Sequence, residues 1–250
     1  MTDIRTPLAA VLLFVTAFIS ISCGRDQSPT GPSQSVLRVE LNLEESTVNF
    51  TLRYSESSAS VVRPYLAELE ANLPRVLAHL DVTLSERIVG RLYPERDAFQ
   101  AATGFIGSGA ALGRNLFGLA AFPYAPSDAV HEMAHVVTWQ LSSPAISTTW
   151  LWESIAVYEA GSLVPPSSLP DLAAGRFPTL GELNDLFHRP SIYQVGYTII
   201  EFLTAEWGWP AVRQLVVSRG DLQATIGLTT AEFEARWRRF VESRYFAASF

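Results

Sequence analysis

Hydrophobic and polar positions follow one rhythm in the first half of the chain and another in the second. Over residues 36–43, and more clearly over 48–54, apolar and polar side chains alternate with a period near two, which predicts strands with one face buried. Residues 87–93 read as a further strand, 95–102 as a short helix, and the apolar, glycine-spotted stretch 112–122 as a strand lining something. Between them Leu66, Leu69, Leu73, Val76, Leu77 and Leu80 recur at helical spacing over 60–80, with Pro74 predicting a break or kink. After Pro126 the helical period takes over, and helices are expected at 128–141, 149–160, 180–187, 193–207, 210–218 and 230–245. Residues 162–178 hold four prolines and read as a loop. Strands first and helices second predict an α+β fold: an antiparallel-rich sheet with helices over 36–126 and a helical lobe over 127–250, forming one unit.

The first 35 residues obey neither rhythm. An apolar run over 8–21 is 14 residues long, short of the roughly 20 that span a bilayer. It follows a head carrying Arg5 and ends in Ser20, Ser22 and Cys23, the layout of a secretory signal peptide over 1–23. Residues 24–35 are rich in Gly, Pro and Ser, as a flexible tether is. The segment ending in Cys23 resembles the lipobox of bacterial lipoproteins, with Ser20 where that family prefers Leu. The resemblance implies lipidation of Cys23, export to the bacterial cell envelope and attachment to a membrane through that lipid.

Composition narrows the chemistry. With 48% hydrophobic residues in 250 and a single cysteine, the chain is neither disordered nor held by an internal disulfide. A net charge of -7 argues against a nucleic-acid partner. All 18 basic residues are arginine, which excludes lysine-based covalent catalysis.

Two of the four histidines are close neighbours, in His131-Glu132-Met133-Ala134-His135. Pro126, Ser127 and Asp128 give a helix start, and residues four apart on a helix share a face, so both imidazoles can meet one metal. Glu132 lies about 100° round from His131, placed to hold a water rather than to ligate. This is the HExxH arrangement of zinc hydrolases, whose metal takes three protein ligands and one open position. His79 and His188 lie outside any recognisable ligand setting and read as surface or structural. Glu153 sits inside an aromatic and aliphatic helix, where a carboxylate is costly unless paired or metal-bound. Glu159, near Gly161 at the helix end, reads as a solvated charge, which makes Glu153 the third-ligand candidate.

HEMAH followed by Trp-Leu-Trp-Glu-Ser-Ile-Ala-Val-Tyr resembles the gluzincins of the peptidase MA clan. Softer matches, at 93–99, 180–183, 193–197 and 228–240, extend the resemblance over most of 36–245. Ser154 stands where the family usually has Gly, and 17 residues separate His135 from Glu153 where aminopeptidase relatives commonly have 18. The resemblance implies a zincin-like fold with the active site between the two lobes. It also implies Zn2+ held by His131, His135 and Glu153, Glu132 as general base, and a peptide or protein substrate. A Tyr or His supplies the oxyanion donor in this clan, and Tyr193 is the first candidate here, ahead of Tyr197 and His188. Zincins also pair substrate with an edge strand upstream of the metal helix, which points to the stretch holding Gly118, Ala120 and Ala121. The reading from another class is an exported zinc-binding lipoprotein that keeps the fold as a binding or assembly factor without turnover.

Overall fold

Five strands and ten α-helices are laid down in a computed structural model that describes residues 39–145, 148–161 and 163–246. The expected export segment, Cys23 and the expected tether lie outside the described residues, as does the start of the first expected strand. Within Val36–Phe250, one compact unit, β1 (Leu43–Ser46) and β2 (Phe50–Tyr54) form a hairpin with Leu43 opposite Tyr54. The first strand therefore lies further along than the 36–43 alternation suggested. The turn closed by Thr47 N–H on Phe50 O sets the register, and β2 ends at Tyr54, so the described residues 39–42 stand outside the ladder.

Helix α1 (Ala59–Leu80) then crosses over to β3 (Ile88–Glu95), which pairs with β2 in parallel. The expected break at Pro74 does not occur, and the helix runs on through both Pro64 and Pro74. A proline inside a helix costs about 3 kcal/mol, and burying a Leu or Val side chain returns roughly 1.5–3 kcal/mol. Leu73, Val76 and Leu80 are all buried beside or beyond Pro74, so packing outweighs the lost hydrogen bond.

α2 (Arg96–Thr103) follows β3, and the expected single strand over 112–122 is in fact a hairpin of β4 (Gly109–Gly113) and β5 (Leu116–Phe122). A turn at Arg114 and Asn115 divides it. β5 joins β3 in parallel, giving the order β1-β2-β3-β5-β4. The sheet is thus mixed rather than antiparallel-rich, because α1 and α2 act as crossovers, which parallel neighbours need. The mixture of α and β is as expected; the strand directions are not. At Gly90 of β3 an added Cβ would come 2.4 Å from Leu52 and 2.6 Å from Phe117, whose side chains pack across it from both neighbouring strands.

α1 and α3 (Pro126–Leu141) pack on one face of the sheet with the main core, while α2 covers a small cluster of Tyr93, Phe99 and Ala120. α4 (Thr149–Ala160) lies on α3 and is buried nearly all round, and α7 (Ile192–Glu206) lies on α4. The stretch expected to loop holds a short helix α5 (Pro170–Ala173), and the helix expected over 180–187 is one turn, α6 (Leu180–Leu183). Just past its end the Asn184 side chain accepts the Trp150 N–H at 3.0 Å, capping the first turn of α4. α8 (Gly208–Val217), the unexpected α9 (Leu222–Ile226) and α10 (Thr230–Tyr245) close the core around Phe233 and Trp237. Among the described residues no helix is long and apolar enough to cross a membrane.

Candidate metal centre

One turn of α3 separates His131 from His135, and their rings stand 4.7 Å apart at 88°. Their Nε2 atoms face each other at 3.1 Å. Glu153 reaches the same point from α4, with Oε2 3.2 Å from His131 Nε2 and Oε1 3.5 Å from His135 Nε2. Three ligands at about 2.0–2.1 Å from a tetrahedral zinc would be roughly 3.3 Å apart, close to the spacings seen, so the group could hold such an ion. Glu153 Oε2 is also buried without a hydrogen bond of proper geometry, although an imidazole stands beside it. An orphaned carboxylate oxygen among convergent nitrogens fits a cation, and these are the residues that would hold it. Burial acts to raise the Glu153 pKa, but His135 and His131 outweigh it and hold the carboxyl well below the usual range.

Glu132 lies beside this group and is buried. Burial first, then the negative charges of Glu153 and Asp128, push its carboxyl up to about 8, against the opposing pull of His131 and the Ala111 backbone N–H. Its Oε2 has no partner among the described residues, which leaves it open to a water or substrate proton. Strand β4 holds the other side: a Cβ at Gly109 would lie 2.6 Å from Glu132 Oε1. Glycine there lets the strand and the carboxylate meet. A hydrogen bond from Ser108 Oγ to Asp128 Oδ2 at 3.2 Å ties the start of β4 to the first turn of α3.

Tyr193, in the first turn of α7, lies with its ring 6.0 Å from that of His131 and lines the cleft beside Glu153. Burial and the two carboxylates raise its pKa, so the hydroxyl keeps its proton. Gly196 brings it there. A Cβ at that position would sit 3.0 Å from Ser154 Oγ and 3.1 Å from Ser154 Cα, tighter than ordinary contact, so glycine lets α7 lie this close on α4 without displacing it. Tyr197 faces away and donates to Val164 O at 2.9 Å, and neither it nor His188 lines the cleft.

Two other expectations change. Glu159 is not solvated: its side chain is fully buried, paired with Arg75 and 2.7 Å from His79 Nδ1. The turn-ending Gly161 gave no sign that α1 would cover it. His79 is structural, as expected, stacked on Trp209 at 4.1 Å. The strand holding Gly118, Ala120 and Ala121 is β5, which is interior and buried, so the edge beside the metal helix is β4 instead.

The cleft of about 450 Å³ that contains the metal group is lined also by Gly109, Ala111, Trp139 and Trp152. Trp152 stacks on the His135 ring at 5.9 Å and 27°. These four were missed in the sequence, although the spacing His131, His135, Trp139 puts the indole on the ligand face of α3. The chain matches no protein-family model, and no curated protein or solved structure shows significant similarity to it.

Proposed function

We propose that the protein is a zinc-dependent peptidase of the gluzincin type, with a zincin-like fold whose cleft lies between the sheet and the helices. The observation that carries this is the meeting of His131 Nε2, His135 Nε2 and the Glu153 carboxylate at ligand spacing, with the unpartnered Glu132 Oε2 beside them. Zinc bound there supplies Lewis acidity, polarising a carbonyl and lowering the pKa of a water toward neutrality.

The chain's own residues do the rest. Glu132 takes the proton from the attacking water at its free oxygen and delivers it to the departing amine. Its carboxyl, raised by burial, is a stronger base than an exposed one, and a dication next to it shifts it back toward the ionised form that the first step needs. Tyr193 donates its hydroxyl proton in a hydrogen bond to the oxygen on which negative charge develops. Glu153 and Trp152 fix the two imidazoles, and β4 offers an edge along which an extended substrate lies.

Export, and attachment to a membrane through a lipid on Cys23, belong to the same proposal and rest on the sequence alone. Metal analysis of the purified protein should find about one zinc per chain, lost in His131→Ala. Glu132→Gln should keep the zinc and lose cleavage of a peptide library. A wild-type protein that binds no zinc overturns the proposal, and zinc without cleavage in the wild type favours the non-hydrolytic binding factor.

A further inference from the structure

Around the proposed metal ligands the remaining lining of the same cleft carries no charge. Trp139 stands one turn past His135 on α3 and Trp152 one residue before Glu153 on α4, and their rings meet edge to face at 6.4 Å. Pro144 and Ala145 continue the wall, while Phe105 and Ile106, from the loop between α2 and β4, form part of the lining. Ile106 is 86% exposed and Phe105 50%, large apolar surface left to water where a ligand would cover it. A cavity of about 450 Å³ falls in the ~300–1,000 Å³ range of ligand pockets and has room for a bulky side chain together with the backbone that carries it.

What the lining omits matters as much. Among the described residues that line the cleft, the ionisable ones are His131, Glu132, His135, Glu153 and Tyr193, all belonging to the metal centre. No guanidinium is present to pair a substrate α-carboxylate, and no further carboxylate to pair an α-amine. A charged chain end or charged side chain would therefore be buried unpaired, while an aromatic or aliphatic one would trade water for indole faces.

Resting on the peptidase reading above, we infer that the cleft takes an internal segment of an extended polypeptide and seats an aromatic or large aliphatic side chain against Trp139 and Trp152. The enzyme is then an endopeptidase with an apolar preference beside the scissile bond.

Binding without turnover tests this. Zinc-loaded Glu132→Gln protein is titrated with octapeptides capped at both ends, one cap being a dye, with Phe, Ala or Asp at the centre, and anisotropy is read. The Phe peptide should bind at least tenfold more tightly than the Ala peptide, and the Asp peptide more weakly than either. Trp139→Ala on the same background should bring the Phe-to-Ala ratio below threefold with zinc still at one per chain. Ile106→Ser, at an exposed position where folding is not at stake, should weaken the Phe peptide severalfold. Equal binding of the three peptides, an unchanged ratio in both variants, or tighter binding of the Phe peptide when its non-dye cap is left off, each with zinc bound, overturns the inference and leaves the metal reading standing. A protein that takes up no zinc overturns the reading on which the inference rests.

Discussion

Alanine at position 109 would add a single methyl group to the strand that faces the metal helix. The added carbon would lie 2.6 Å from Glu132 Oε1 and 2.9 Å from Glu132 Cγ. Ordinary contact is about 3.5 Å, so the carboxylate must retreat by roughly 1 Å. It is buried, and the methyl would press on its stem as well as its tip, so no simple rotation of the tip relieves the overlap. The backbone itself accepts alanine, because Gly109 is not among the glycines of positive φ. Misplacing a catalytic group by about 1 Å costs on the order of 10²-fold in rate. The expected outcome is a hundredfold fall in kcat on a capped peptide, with one zinc per chain retained because no ligand is touched. The assay pairs kcat with metal content and uses Glu132→Gln as the reference for complete loss of the base. A Gly109→Ala protein at full zinc with kcat within threefold of wild type refutes the reasoning: Glu132 is then not held by this strand, or is not the base.

Tyr193→Phe should lower kcat by about 10²-fold with KM changed less than threefold, as for loss of an oxyanion donor, and an effect on KM alone would reassign the residue to substrate binding. Arg75→Ala strands the buried Glu159 carboxylate with only His79 beside it, which should cost about 3–5 kcal/mol. At roughly 2–4 °C per kcal/mol for a domain of this size, thermal unfolding should come at least 6 °C earlier, and a shift under 2 °C would show that the pair is dispensable. Glu70 ties the β1–β2 turn to α1 by accepting from Thr47 Oγ1, Asn49 N–H and Asn49 Nδ2. Burial acts to raise its pKa, but these bonds outweigh it and leave it below the usual carboxylate value. A depressed folded pKa stabilises above the unfolded value near 4.3 and stops doing so as pH falls through the folded one. Glu70→Gln should therefore lower denaturant stability at pH 7 and converge on wild type in acid, and a constant difference across that window would contradict the linkage.

Many of the elements and the proposed metal ligands were written locally. Helical structure over 60–80, though not its continuity through Pro74, follows from leucines at helical spacing, and the His131–His135 pair follows from the four-residue turn alone, since both depend only on neighbours in the chain. Glu153 was legible because a carboxylate amid Trp and Ile has few places to go. Other features needed the third dimension. Glu159 carries the same charge in the same helix, yet its burial depends on Arg75 and His79, some 80 residues earlier, arriving from α1. The division of residues 112–122 into two strands, the parallel pairing of β2 with β3, and the choice of β4 as the edge all depend on which strands meet across crossovers. Gly109 and Gly196 look ordinary until Glu132 and Ser154 are packed against them. Periodicity fixes which face of an element is apolar, because a side chain's direction repeats with the backbone. What that face touches, and so how closely strand, base and tyrosine approach the metal ligands, is decided by packing between segments far apart in the chain.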